Sequence, residues 1–267
     1  MLKLLSYNIQ VGIDSHQFSH YLTRSWRHLL PNRQRQHNLE GVSAILHDFD
    51  IVALQEVDAG SLRSGFINQV DYLGQTGQFS DWYHQCNRNL GKIAKQSNGL
   101  LSRFPIRSII NHKLPGRIPG RGAIEAIIGE DGAEIAVFVV HLSLGKRARK
   151  QQLEYLANEA KKHQHMVIMG DMNCSTDELK HWADSAELVL AGGDEDLTTY
   201  PSWQPETHID HVLVSQSLKV LETKVLPFRY SDHLPLAVTI SLPDSFNNDF
   251  FKNYQPFPTP GGLKDHG

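Results

Sequence analysis

The chain alternates short apolar segments with segments of helical periodicity. The run Ile135-Ala136-Val137-Phe138-Val139-Val140 has no polar residue, so a strand formed there must be covered on both faces. Strands are predicted at eight β-rich segments: 2–11, 50–57, 99–102, 123–128, 134–144, 166–169, 209–214 and 234–242. Apolar residues at helical spacing predict helices around 39–46, 153–160 and 179–186. The pattern predicts a single α/β domain, two packed sheets with helices outside.

Bulk properties narrow the class of protein further. A chain of 267 residues can bury a large core without disulfide or metal staples. Cys86 and Cys174 make neither a disulfide framework nor a metal-ligand spacing, which favours a reducing cytoplasm. The formal net charge of −3 argues against a broad nucleic-acid surface, although a local basic patch stays open. No signal peptide or bilayer-length apolar run is present, so we expect a cytoplasmic monomer without stable membrane insertion.

Hydrogen-bonding or acidic side chains stand where the apolar segments end. They are Asn8, Glu56, His141, Asp171, Asn173 and Asp210. Burying one such group without a partner costs about 1–3 kcal/mol, and an unpaired carboxylate costs more. Each position alone has a structural interpretation, such as an Asx-turn at Asp171 or a core histidine at His141. Repetition of the cost at successive strand ends is better explained if the ends converge on a metal ion and on one another.

A further acid and imidazole precede the last predicted strand, in Ser231-Asp232-His233-Leu234-Pro235. Neighbouring strand residues point to opposite faces, so Asp232 and His233 can serve one site only from an irregular strand entrance. The sequence therefore predicts a hydrolytic, metal-assisted site.

The ordered motifs resemble the endonuclease/exonuclease/phosphatase superfamily, which has the DNase-I-like fold. The resemblance rests on Ser6-Tyr7-Asn8-Ile9-Gln10, Leu54-Gln55-Glu56-Val57, Val140-His141-Leu142, Gly170-Asp171-Met172-Asn173, Ile209-Asp210-His211 and Ser231-Asp232-His233-Leu234-Pro235. It implies a four-layer α/β sandwich of two mixed β-sheets flanked by helices, over a catalytic domain of residues 1–243. Segment 14–37 is then an insertion and a candidate lid, and 244–267 a flexible tail.

At two positions the chain departs from the motifs of the abasic-site endonucleases of this superfamily, and these differences bear on the substrate. Gln10 stands where abasic-site endonucleases of this superfamily carry an acid, and His141 resembles the histidine-bearing branch rather than a tyrosine-bearing one. That branch includes DNase-I-like nucleases, sphingomyelinase-like enzymes and many uncharacterised bacterial members.

Resemblance and ligand chemistry together imply a magnesium site. Glu56 is the expected metal ligand, with Asn8 and Asp232 beside it, directly or through water. Manganese fits similar oxygen ligands, so the sequence does not choose between the two ions.

The remaining polar groups imply the catalytic roles. We expect His233 to contact the phosphate or move the proton, with Asp210 orienting and supporting it. Asp171 would orient or deprotonate the attacking water. Asn173 would donate to a phosphate oxygen, and His141 would do the same or assist the leaving group.

Cationic side chains suggest where the rest of the substrate lies. Arg103 and Arg121 are predicted to bind substrate phosphate. The basic run 146–150 begins a predicted helix, where the helix macrodipole disfavours positive charge unless an anion lies nearby. Three interpretations follow: a phosphoesterase acting on a small molecule or lipid headgroup, a nuclease with salt-sensitive binding, or a catalytically silent scaffold. The last has no need of so many converging polar groups.

Overall fold

Two six-stranded sheets form the centre of the molecule. The computed structural model describes residues 1–10, 33–89, 95–116, 120–130, 132–193 and 195–243. Within these residues the strands are β1 (Leu2–Asn8), β2 (Ile51–Asp58), β3 (Asp81–Asn89), β4 (Lys95–Ser102), β5 (Ile106–Lys113), β6 (Gly122–Glu130), β7 (Ala133–His141), β8 (Met166–Asp171), β9 (Leu188–Leu190), β10 (Asp210–Ser215), β11 (Lys219–Val225) and β12 (Leu236–Ser241).

Each sheet is mixed, with one parallel pair at its centre. The first sheet has the order β11-β12-β1-β2-β4-β3, and the second has β5-β6-β7-β8-β10-β9. β1 and β2 run parallel, as do β7 and β8, while the other neighbours are antiparallel. Parallel neighbours require a crossover connection. The carboxyl ends of both parallel pairs carry the polar residues that the sequence singles out.

Helices cover the outer face of each sheet. They are α1 (Arg33–Leu46), α2 (Gln69–Thr76), α3 (Lys146–Ala160) and α4 (Thr176–Ser185), with a short 3₁₀ helix at Leu62–Ser64. α1 and α2 pack on the first sheet, and α3 and α4 pack on the second. Side chains such as Leu4, Ile51 and Val137 fill the layer between the sheets. The predicted four-layer α/β sandwich is confirmed.

The eight predicted strands are the eight inner strands of the two sheets. The four strands that the sequence pattern missed are β3, β5, β9 and β11, which stand at the edges. An edge strand such as β5 exposes much of its length, so it lacks the continuous apolar run of a buried strand. The predicted strands 2–11 and 134–144 end earlier than expected, at Asn8 and His141.

The two irregular segments lie largely outside the described residues. Of the candidate lid, residues 33–37 belong to α1, and 14–32 lie outside the described residues, so the insertion stays a prediction. The tail 244–267 is likewise outside the described residues. Across the part that is described, no helix has the length and apolar character needed to cross a membrane.

Candidate active site

The candidate active site lies on the rim where the central strands of both sheets end. β1 ends at Asn8, and β7 ends at His141, which pairs with Asp171 of the parallel strand β8. Asp210 pairs with Asp171 from the antiparallel strand β10. Strand pairing itself therefore brings side chains far apart in sequence to one rim.

Hydrogen bonds hold both carboxylate oxygens of Asp171. Its Oδ2 accepts a hydrogen bond from Asn8 Nδ2 at 3.1 Å, and its Oδ1 accepts one from the Asn173 backbone N–H at 3.0 Å. Gly170, with a φ of 152°, comes so close to the Val140 carbonyl oxygen that a Cβ there would overlap it. Only glycine therefore allows β8 to present Asp171 at this position.

A β-bulge sets the direction of Glu56. The pairing of β2 with β4 shifts register between Leu54 and Val57, and Glu56 has a φ of 57°. Left-handed backbone at a non-glycine residue costs about 1–2 kcal/mol, and bulges typically re-aim a side chain. Glu56 Oε1 lies 3.9 Å from His141 Nε2, and the same nitrogen lies 3.4 Å from Asp171 Oδ2.

His233 and Asp210 form a buried pair. Nδ1 of His233 donates to Asp210 Oδ2 at 2.8 Å, which leaves Nε2 on the side of Asp171 Oδ2, 3.9 Å away. Among the described residues, the buried Oδ1 of Asp210 has no hydrogen-bond partner. Residues 231–233 are irregular and β12 begins only at Leu236, so Asp232 and His233 both remain at the rim.

Burial and crowding of like charges shift the pKa values of the site. Burial raises the pKa of Asp171 to about 7, with repulsion from Asp210 and Glu56 adding to it and His233 opposing it. Burial, together with Glu56, raises the pKa of Asp232 to about 6. These carboxylates repel one another, and a cation among them would relieve that repulsion.

The two histidines shift in opposite directions. Burial holds the pKa of His141 well below its usual value, and the positive charges of Arg121 and His233 act the same way. Burial disfavours charge on His233, but the carboxylates of Asp210, Asp171 and Asp232 together outweigh it, Asp210 most of all, and raise the pKa of His233 to about 10. At neutral pH His233 is therefore an imidazolium and His141 is neutral.

The donor set of the rim fits a hard divalent cation. Asn8, Glu56 and Asp232 offer oxygen atoms, which are the ligands that Mg²⁺ prefers. Ligand atoms of Asp171, Asp210 and His233 also lie within 4.8 Å of one another. That second group includes the imidazole nitrogen of His233, whereas Mg²⁺ prefers oxygen ligands. The oxygen-only set is therefore the better fit to magnesium.

Arg121 lies beside the carboxylates of the rim. Burial lowers the pKa of its guanidinium, while attraction to Glu56 and Asp171 opposes that shift. Arg121 directly precedes β6 and is partly buried. The structure thus brings this arginine to the other site residues.

Arg103 does not reach the rim, and its predicted role as a phosphate ligand is corrected here. Its backbone N–H donates to Asp50, six residues before Glu56 along β2, or about 20 Å at the usual strand rise. Its guanidinium donates to the carbonyl oxygens of Leu46, His47, Phe49, Gly77 and Gln78. Arg103 therefore satisfies carbonyl groups at the ends of α1 and α2.

The side chains of the basic run 146–150 differ in burial. Arg149 is buried, pairs with Glu178 at 2.9 Å, and donates to the carbonyl oxygens of Ser143 and Leu144. It thereby fixes the loop that follows His141. Lys146, Arg147 and Lys150 of this run remain exposed.

Two residues next to the rim were missed by the sequence pattern. Thr199 Oγ1 donates to Asp210 Oδ2, and the Tyr200 ring packs against the His233 ring with centroids 4.9 Å apart. Both come from an irregular segment, which the N–H of Leu234 joins by donating to the Thr199 carbonyl. No local signal in the sequence marks these contacts, because they depend on tertiary packing.

The family of the chain follows from its match to known proteins. The sequence model of the Endonuclease/Exonuclease/phosphatase family matches residues 5–233, and the chain belongs to this family. Members of the family are in general hydrolases that act on phosphoesters. No curated protein matches the chain.

Solved structures similar to the chain share its fold at low sequence identity. An endonuclease/exonuclease/phosphatase from Beutenbergia cavernae is 17% identical with a TM-score of 0.72, over 91% of this chain and 72% of that one. A mannosyl-6-phosphatase from Bacteroides thetaiotaomicron is 19% identical with a TM-score of 0.69, over 91% and 100% of the two chains. Truncated Caenorhabditis elegans TDP2 is 16% identical with a TM-score of 0.63, over 90% and 96%. These similarities establish the DNase-I-like fold.

Proposed function

We propose that the chain hydrolyses a phosphoester bond by attack of water at a divalent-cation site. The observation that carries the proposal is the arrangement around Asp171. His233 Nε2 and His141 Nε2 lie 3.9 Å and 3.4 Å from its Oδ2, and Asn8 donates to the same oxygen at 3.1 Å. Hydrolysis of a phosphoester requires such a cluster of charged and proton-transferring groups, and a non-catalytic scaffold does not.

Asn8, Glu56 and Asp232 would hold the ion. Mg²⁺ is the expected cofactor, and Mn²⁺ fits the same oxygen donors. When bound, the ion neutralises negative charge on the phosphate and on the departing oxygen.

Asp171 orients the attacking water and accepts its proton. Hydrogen bonds from Asn8 and from the Asn173 backbone fix both carboxylate oxygens, so the acceptor is in place before substrate binds. Asn173 donates one Nδ2 proton to the Leu142 carbonyl, and its other Nδ2 proton is available to a phosphate oxygen.

His233 stabilises the charge that develops on the phosphate. Its Nδ1 proton is committed to Asp210, so Nε2–H is the group presented to the substrate. His141, being neutral, assists the leaving oxygen or donates to the phosphate, and Arg121 provides a second positive charge at the rim beside His233.

A compact phosphoester, either a small molecule or a lipid headgroup, is the substrate class that we favour. The net charge of −3 and the single predicted arginine at the rim suit a local anion pocket rather than a long nucleic-acid track. The second candidate is a nuclease, because Lys146, Arg147 and Lys150 are exposed just beyond the loop that follows His141.

A substrate panel separates these candidates. Plasmid DNA, phosphoinositides, sphingomyelin and nucleotide monoesters would be incubated with Mg²⁺ and, in parallel, with EDTA. Chelator-sensitive hydrolysis of a compact substrate alone supports the first candidate, and DNA cleavage that falls steeply with salt supports the nuclease. Absence of chelator-sensitive hydrolysis across the panel contradicts the proposed function.

We also propose a cytoplasmic monomer. The two cysteines, Cys86 and Cys174, are free thiols, which is their usual state in a reducing compartment. Light scattering after gel filtration tests the monomer, whose mass is 30.2 kDa.

A further inference from the structure

A second group of metal-ligating side chains lies beneath α3, away from the candidate active site. It consists of His112 on β5, Glu125 on β6, Glu159 in the last turn of α3, and His163 in the turn after that helix. We name these four residues the α3 cluster.

The α3 cluster and the candidate active site occupy opposite faces of the second sheet. Glu125 pairs with Phe138 on β7, and Phe138 packs into the core beneath α3. Successive strand residues alternate between faces, so His141, three residues beyond Phe138, points the other way. The α3 cluster is therefore separate from the chemistry at the rim.

Two imidazoles bracket one buried carboxylate in the α3 cluster. His112 Nε2 lies 2.7 Å from Glu125 Oε2, and His163 Nε2 lies 3.0 Å from Glu125 Oε1. Ligand atoms of His112, Glu125 and Glu159 all lie within 4.8 Å of one another. The side chains of Glu159 and His163 retain 16% and 20% of their exposure, so an ion can enter from the α3 side.

The helix spacing explains the convergence. Tyr155, Glu159 and His163 are four residues apart, which aligns them on one face of α3 and its continuing turn. The Tyr155 hydroxyl lies 2.8 Å from His112 Nδ1 and thereby orients Nε2 toward Glu125. Histidines that bind metals usually have such an outer partner on the second ring nitrogen.

We propose that the α3 cluster binds Zn²⁺ or a chemically similar transition-metal ion. His112, Glu125 and Glu159 offer one imidazole nitrogen and two carboxylate oxygens, a set of three protein ligands that suits zinc and differs from the oxygen-only set that suits magnesium. His163 supports the site through its hydrogen bond to Glu125, and the proton between His112 Nε2 and Glu125 would be released when the ion binds. Lys162 now pairs with Glu159 on the solvent side, and a dication would replace that ammonium as its partner. The bound ion would join the end of α3 to β5 and β6.

Zinc uptake by the full chain tests this site. Protein would be equilibrated with Zn²⁺ in excess Mg²⁺, separated from free ions and assayed for bound zinc. We expect Glu159→Gln, which removes a ligand, and His163→Gln, which removes the hydrogen-bond partner of Glu125, each to bind zinc at least tenfold more weakly. His181→Gln, an exposed change on α4, is the matched control and should bind as the parent does.

Thermal unfolding provides the second readout. At the same concentration, Zn²⁺ should raise the Tm of the parent and of His181→Gln by more than the Tm of His163→Gln or Glu159→Gln. Both substituted side chains reach solvent, and unfolding curves in EDTA show whether each variant is folded. One folded variant of the two is enough to test the site. Equal zinc uptake and equal Tm shifts in all four proteins, or no zinc uptake by the parent, overturn the proposal and leave the α3 cluster a hydrogen-bonded network.

Discussion

Arg103 and Arg121 stand at opposite ends of the sandwich and differ in what their charges contact. The Arg103 guanidinium donates to five backbone carbonyl oxygens at the ends of two helices and lies over the Phe79 ring. Arg121 instead lies near the carboxylates of Glu56 and Asp171. The first arginine completes the backbone hydrogen bonding, while the second faces groups that the fold alone does not require.

The two ends differ in how well their buried polar groups are paired, as well as in charge. At the Arg103 end, Asp50 accepts from the Lys3 N–H, so even this carboxylate has a backbone partner. At the Arg121 end, the buried Oδ1 of Asp210 has no partner among the described residues. Unmatched polar groups of this kind are typical of functional sites. We therefore expect substitutions at one end to change stability and substitutions at the other to change turnover.

The largest effect is expected at the rim. Asp171→Asn and His233→Ala should each lower turnover about 10²–10⁴-fold, because each removes a proton acceptor or a positioned charge. The raised pKa of Asp171 indicates that burial disfavours its charge, so Asp171→Asn should retain most of its stability. His233→Ala removes the partner of the buried Asp210 and should lose stability, so turnover is compared per folded molecule after unfolding by denaturant. Near-parent turnover in both variants would contradict the assignment of the rim.

Arg103→Met tests the other end. Removal of the guanidinium leaves several carbonyl groups short of a donor, and we expect a loss of about 2–4 kcal/mol in the free energy of unfolding. Turnover per folded molecule should not change. Arg107→Met, which removes an exposed ion pair with Glu134, is the control and should cost at most about 1 kcal/mol. A fall in turnover per folded molecule with Arg103→Met would contradict the claim that Arg103 contributes to stability alone.

Arg121→Met should have the reverse profile. We expect kcat/KM to fall about tenfold to a hundredfold, as for loss of a charge-assisted contact to phosphate, with little change in the free energy of unfolding. Steady-state kinetics and denaturant unfolding on the same preparation measure both. A large stability loss without a kinetic effect would make Arg121 a second structural arginine.

The smallest effect concerns His211, directly behind Asp210 on β10. Burial, with the nearby His208, lowers the pKa of His211 to about 4, and its Nε2–H donates to the Cys174 carbonyl at 2.9 Å. The unfolded chain takes up this proton nearer the ordinary value of about 6.5. Stability from this group is thus complete above about pH 6.5 and is lost as the pH falls toward 4.

Denaturant unfolding at two pH values measures this contribution. Between pH 7 and pH 5 we expect the parent to lose about 1–2 kcal/mol through His211, and His211→Gln to lose correspondingly less. His181→Gln, an exposed change, should keep the parent's pH dependence. Equal pH dependence in the parent and in His211→Gln contradicts this role.

The sequence predicted the inner strands because burial on both faces leaves a local signal. β7 is buried at nearly every position, whereas β11 alternates irregularly between exposed and buried residues. An edge strand is stabilised by one neighbour and by its position in the sheet, neither of which is encoded within the strand itself. α2 was missed for a related reason, since only eight residues form it.

The same distinction between local and tertiary signals applies to the site. Asn8, Glu56, His141 and Asp171 are polar residues at the ends of apolar segments, so the chain itself marks them. Thr199 reaches Asp210 only because two irregular segments pack together. Arginines on turns look alike in sequence, and only the tertiary fold separates Arg103 from Arg121.

Magnesium dependence of hydrolysis tests the central claim most directly. Initial rates on the substrate identified by the panel would be measured against Mg²⁺ concentration for the parent, for Glu56→Gln and for the control Glu154→Gln, an exposed change on α3. We expect EDTA to abolish the parent rate, Glu154→Gln to match the parent, and Glu56→Gln to need at least tenfold more Mg²⁺. A parent rate insensitive to EDTA, or the same Mg²⁺ dependence in Glu56→Gln, would contradict a cation site at this rim.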